Sequence, residues 1–182
     1  AKLIGGTYHC LGESDGLVVF DKATVQKAVD LFRRVTPSLV FIHPRQDYMM
    51  DHEMSSLLGR AASFMFGTPN ASAFPLKPDT SVPYLYYCDP VEARDHYGNI
   101  VKPTTYVDIT PVLEKKTEML ACHASQREWL RAYHGDDEYL HSMQRAAAMR
   151  GGEVGLPAAE GFIQHLGHAY PRNDLLEELF GE

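Results

Sequence analysis

The stretch Pro37-Ser38-Leu39-Val40-Phe41-Ile42-His43-Pro44-Arg45-Gln46-Asp47-Tyr48-Met49-Met50-Asp51-His52 decides the fold. Its first six residues are short, apolar and β-leaning, the composition of a buried parallel strand. Beyond His52, residues Met54, Leu57, Leu58, Ala61, Ala62 and Met65 recur at i, i+3, i+4, i+7, i+8 and i+11, one face of a helix. Between strand and helix, Asp47 to His52 places two carboxylates and a histidine within six positions. Polar groups at the carboxyl end of a strand in an open α/β sheet sit where such folds bind ligands.

Upstream, Asp21 is a natural N-cap for a helix that buries Val25, Ala28, Val29 and Phe32, and Pro37 separates that helix from the strand. A strand near Thr7 to Leu11, then the turn Glu13-Ser14-Asp15-Gly16, completes a strand, helix, strand, helix order that points to βαβ units. Downstream, residues 70–82 read as irregular loop, and Tyr84 to Tyr87 and Thr104 to Val107 as strands, with a turn at Tyr97-Gly98-Asn99. Thr110-Pro111 starts a helix running towards His123, and a second helix covers Ser125 to Arg150, ending at Gly151-Gly152. Ala158 to Ile163 forms a last strand, and Leu175, Leu176 and Leu179 lie on a short terminal helix after Pro171. The alternation predicts a single α/β domain over residues 1–182 with a mostly parallel sheet.

Bulk properties narrow the partners. The chain has 182 residues, 45% hydrophobic and 23% charged, as in ordinary globular proteins. A formal charge of −7 without a Lys/Arg cluster argues against nucleic acid or an anionic membrane surface. No apolar run approaches the ~20 residues of a membrane span, and no signal peptide is visible. Cys10, Cys88 and Cys122 are an odd, scattered set, which predicts reduced thiols in a cytoplasmic setting, Cys88 and Cys122 as small core residues.

Histidine nitrogen and carboxylate oxygen are the usual non-thiol zinc ligands, and a second carboxylate can orient a ring or hold a proton. Asp51, however, is equally an ordinary helix N-cap favoured by the dipole, and one histidine cannot make a zinc site. His43-Pro44-Arg45-Gln46 does not complete one, because Gln46 is a poor metal ligand. His165 and His168 are spaced i, i+3, yet Gly167 and Pro171 argue for a loop there. His123 suits a helix end, while His9, His96, His134 and His141 lack sequence partners and read as surface or packing residues. Tyr84, Tyr86 and Tyr87 read as strand packing, and Asp15 as a turn former.

The string from Pro37 to His52 resembles the second half of the LmbE-like/PIG-L family of zinc-dependent de-N-acetylases, whose pattern there is a strand ending in His, then roughly D-Y-H-x-D-H. Three further segments agree. Leu11-Gly12-Glu13-Ser14-Asp15-Gly16 is similar to the family's L-G-x-x-D-G turn. Val107-Asp108-Ile109-Thr110 through His123-Ala124-Ser125-Gln126 is similar to its D-I-[ST]…K…H-x-S-Q region, and Ala159-Glu160-Gly161-Phe162 to its A-E-x-F strand. Four ordered matches are far more specific than any one. The resemblance implies a Rossmann-like sheet with flanking helices, Zn2+ as cofactor, and removal of an N-acetyl or other N-acyl group from an amino-sugar-like small molecule. Carried over by position, His52 is the zinc ligand, Asp51 the acid beside it that tunes the catalytic groups, and Asp15 a contact to sugar hydroxyls.

Two departures qualify that expectation. Met49 stands where the family has a histidine that polarises the amide or protonates the leaving amine. Losing such a group costs roughly 10²–10⁴-fold in rate unless His165 or His168 takes it over. The family's amino-terminal H-P-D-D motif, which supplies a His and an Asp to zinc and a further Asp as base, is absent from these residues. The chain therefore reads as the carboxyl-terminal two-thirds of such a protein, expected to bind zinc weakly and turn over nothing alone. An apolar edge left bare predicts a covering partner, a second copy in a homo-oligomer, or residues ahead of Ala1. The rival expectation is a non-catalytic sugar-binding or interaction domain that has lost the metal centre.

Overall fold

Asp21 starts the first helix, α1 (Lys22–Val35), through a reciprocal cap: its carboxylate accepts the Thr24 N–H at 2.9 Å, and the Thr24 hydroxyl accepts the Asp21 N–H at 3.1 Å. The computed structural model describes residues 1–78, 80–134 and 137–181. After α1 the chain turns at Thr36 (φ 51°) into β1 (Leu39–Ile42), then α2 (Met50–Met65) and β2 (Tyr84–Cys88). Leu39 pairs with Tyr84 and Ile42 with Tyr87, so β1 and β2 are parallel and α2 is their crossover. β3 (Thr105–Asp108), α3 (Leu113–Ala121), α4 (Ala124–His134), α5 (Glu138–Val154), β4 (Ala159–Gln164) and α6 (Leu175–Phe180) follow. β4 runs antiparallel to β2, with Cys88 opposite Phe162, and the strand order is β1-β2-β4-β3. The fold is α/β as the alternation predicts, with a mixed open sheet rather than a strictly parallel one.

The chain resolves into two compact units. One comprises His9–Thr105 and Phe162–Glu178. Its core is Ala28, Val29, Leu58, Ala62 and Phe66, against which Leu11, Val18, Val25 and Phe32 pack. This is the predicted face of α1, and each such Val, Leu or Phe buried contributes about 1.5–3 kcal/mol. On α2 the buried stripe is turned from the predicted one: Met65 points outward, while Ser56 and Ser63 are buried. Both serines are satisfied, Ser56 Oγ donating to the His43 carbonyl at 2.8 Å and Ser63 Oγ lying 2.8 Å from the Tyr170 hydroxyl. Arg33, 2% exposed, fixes the chain after α2 by donating to the carbonyls of Phe66 (2.9 Å), Thr68 (2.5 Å), Ser72 (2.9 Å) and Phe74. Its fork of N–H donors meets this ring of acceptors, so a buried cation is tolerated without a carboxylate.

The other unit comprises Ala1–Tyr8, Tyr106–Gly161 and Leu179–Glu182, with a core of Ile109, Ala147 and Ala158 and the flanking Val107 and Leu113. Here the single helix predicted over 125–150 is two, α4 and α5, and α5 continues through Gly151-Gly152 to a left-handed Gly155 (φ 77°). Gly151 is a packing glycine, not a stop: a Cβ there would lie 2.4 Å from the Leu156 carbonyl oxygen. The predicted strand at Thr7 to Leu11 does not form; residues 7–10 are exposed, and Leu11 acts as a single anchor on the α1–α2 core. Cys122 is exposed at the end of α3, its thiol 3.4 Å from the Glu118 carbonyl, and Cys88 is half-buried, so neither is a core residue as expected. No helix among the described residues is long and apolar enough to cross a membrane.

Candidate metal centre

His43 is the first residue past β1, Asp47 lies in the loop that follows, and His52 sits in the first turn of α2. The strand and the crossover helix hold His43 and His52, nine positions apart in sequence, at the two ends of this segment, and it folds so that both rings stack, centroids 4.4 Å apart at 14°. Asp47 Oδ1 accepts the Nδ1–H of His52 at 2.9 Å. One ligand atom from each of His43, Asp47 and His52 lies within 4.8 Å of the others.

Asp47, 6% exposed, is held from several sides. Its N–H donates to Glu53 Oε1 at 2.9 Å, and its Oδ1 also accepts the Met49 N–H at 3.1 Å. The Nε2 of His96 is 2.7 Å from the Asp47 carbonyl oxygen and 2.7 Å from Glu53 Oε1. Tyr48 sets its ring edge-on to His52, centroids 5.7 Å apart. Burial pushes the His43 imidazole below its ordinary value, and the neighbouring His52 adds to this against the pull of Asp47 and Asp51. A neutral ring is the form that ligates a metal.

Asp51 does not cap α2. The N-cap is Met49, which makes no side-chain cap bond, and Asp51 is the second residue of the helix, with 7% exposure. Its Oδ2 accepts the Gly16 N–H at 3.0 Å, and that bond holds its carboxyl below the usual range despite burial. Gly16 has φ 73° and follows Asp15 in a turn closed by the Leu17 N–H on the Ser14 carbonyl at 3.1 Å. The structure thus brings the Asp15 turn to Asp51, with the Asp15 side chain exposed. His165 stands apart from the His43–Asp47–His52 group: its Nδ1 is 2.9 Å from the Tyr87 hydroxyl and its ring 4.3 Å from that of Tyr170, while His168 is exposed. The side chain of His134 lies outside the described residues.

Sequence reasoning missed His43, His96 and Glu53. His43 carries a usable signal, a histidine directly at the carboxyl end of a strand, but weighing it only with Gln46 hid its partner across the loop. His96 carries none, because its contact to Asp47 spans 49 positions. Two imidazoles and a carboxylate form a nitrogen–oxygen donor set of the kind that binds a zinc-like divalent ion. Asp47 Oδ1 and His52 Nδ1 now share a proton, which a metal held between them would displace.

The chain matches no protein-family model. It is 28% identical over 130 residues to 4-oxalmesaconate hydratase of Pseudomonas putida, covering 69% of this chain and 47% of that protein. It therefore spans about half the length of the curated relative it matches. Among solved structures it superposes on the 4-carboxy-2-hydroxymuconate hydratase GalB of Pseudomonas putida with a TM-score of 0.69 at 23% identity, covering 95% of this chain and 70% of that one. It superposes on N,N'-diacetylchitobiose deacetylase of Pyrococcus horikoshii with a TM-score of 0.71 at 21% identity, covering 96% and 64%. The fold is LmbE-like.

Proposed function

We propose that His43, Asp47 and His52 hold a zinc ion in an enzyme that hydrolyses an N-acyl group on an amino-sugar-like small molecule. The convergence of those three side chains at a strand end carries this reading. A divalent ion so held would supply Lewis acidity, making a nearby water more acidic and a substrate carbonyl more electrophilic. A zinc ion held by both Asp47 and His52 Nδ1 would replace the proton that now joins them, and Asp47 is itself fixed by Glu53 and His96. Asp51, kept ionised by the Gly16 N–H, supplies fixed negative charge beside His52 rather than a proton. The turn that Gly16 closes carries Asp15 to the same place, where it would accept substrate hydroxyls. With three donors instead of one, zinc binding by the chain should be stoichiometric rather than weak.

The test is acetate release from N-acetylglucosamine by the zinc-loaded protein. Release abolished by EDTA, restored by zinc and lost in His52→Ala supports the reading. Sugar binding with no acetate, metal present or not, contradicts it in favour of the binding-module rival that Met49 supports. A second reading, addition of water to an unsaturated small molecule, is favoured by the 28% identity to a hydratase. It predicts loss of the substrate's ultraviolet absorbance with no acetate formed.

A further inference from the structure

Two concavities meet at Arg45 and Tyr87. The wider, about 410 Å³, is walled by Pro44, Cys88, Pro90, Val101 and Ile163 as well as by Arg45, Gln46 and Tyr87. The narrower, about 190 Å³, is walled by Arg45, Arg60 and Tyr87 with Glu53, Ser56 and Leu57. From these walls we infer that the narrower cavity is an anion subsite, in which Arg45, Arg60 and the Tyr87 hydroxyl seat a carboxylate of the substrate while its hydrocarbon body fills the wider, apolar one.

Three observations carry this. Neither arginine forms an ion pair among the described residues, although Arg60 is half-buried on α2. The carboxylate that shares their cavity, Glu53, is already engaged by the Asp47 N–H and by His96. The charges reach inward: burial lowers the His165 imidazole, and Arg60 and then Arg45 lower it further. Burial raises the Tyr87 phenol against the opposing pull of Arg60 and Arg45. Two guanidinium forks facing one small space lack an anion, and planar bidentate recognition of a carboxylate is what such forks do best. With His165 donating its Nδ1–H to the Tyr87 hydroxyl 2.9 Å away, the phenol O–H at the same wall is left as a neutral donor. The apolar lining next door fits a carbon skeleton better than the hydroxyl-covered face of a sugar, which needs acceptors. Arg45 lies midway between His43 and Asp47 in the chain, so an acid anchored there presents its body beside those residues. The inference departs from the amino-sugar reading and deepens the second one, water addition to an unsaturated small molecule, on which it rests only for that placement.

The experiment is a nuclear magnetic resonance titration of the full chain, kept metal-free in EDTA, with succinate, inorganic phosphate and N-acetylglucosamine in turn. Succinate should shift the Arg45 and Arg60 side-chain Nε–H signals and saturate them. Arg45→Ala should weaken it about tenfold, Arg60→Ala similarly, and Arg60→Lys by less, because the charge stays and the fork is lost. Equal succinate affinity in Arg45→Ala overturns the proposal; this residue is exposed, so the variant stays folded even where Arg60→Ala does not. Tighter binding of phosphate or N-acetylglucosamine through the same signals overturns it too. Because the protein is metal-free, failure of the zinc reading leaves this result unchanged, and failure here leaves zinc binding unchanged.

Discussion

At the scale of single residues, Asp51 shows how a buried carboxylate is kept charged. Its oxygen accepts the Gly16 N–H from 35 positions away, and that bond holds its pKa below the ordinary 3.8. A carboxyl depressed in the folded state stabilises the fold above its unfolded value, and that stabilisation is lost as pH falls through the folded value. Asp51→Asn should therefore cost about 1.5–3 kcal/mol at pH 7, the worth of a hydrogen bond to a charged group. The difference from wild type should shrink on acidification below about pH 4. Urea unfolding of both proteins at several pH values checks this, and a gap that stays constant with pH would refute the account of Asp51. The sequence shows Asp51 in the right place and lets it pass as a helix cap. It cannot show Gly16 arriving there, nor that the backbone makes Met49 the N-cap instead.

Among elements, those legible in the sequence are the ones set by local chemistry. Asp21 as N-cap specifies the start of α1, and the apolar run Leu39–Ile42 specifies β1. The end of α5 was not legible, because Gly151 is required by Leu156 and Ala158 packed over it, a contact that no local rule encodes. The two adjacent glycines make a matched test. Gly151→Ala should destabilise by about 1–3 kcal/mol through overpacking. Gly152→Ala, with nothing within 4 Å of its Cβ, should stabilise by up to about 1 kcal/mol through helix propensity. Thermal unfolding distinguishes them; equal shifts would mean that α5 ends before Gly151 in solution.

Across the whole molecule, the alternation of strands and helices gives the α/β class but not the reversed direction of β4, which depends on which strand it meets. The same holds for the candidate centre. Its contiguous part, Asp47 to His52, is written in the sequence, and its closure by His43, Glu53 and His96 is a product of folding. The LmbE-like fold has been shown; that this centre binds zinc is the claim on which the proposed function depends. The most direct measurement is X-ray absorption at the zinc edge on the chain loaded with one equivalent of Zn2+. The account predicts scattering from two imidazoles and an oxygen donor, falling to one imidazole in His43→Ala and in His52→Ala, with a tetrahedral N/O shell completed by solvent. A first shell without two imidazoles, or one unchanged by either substitution, would contradict it.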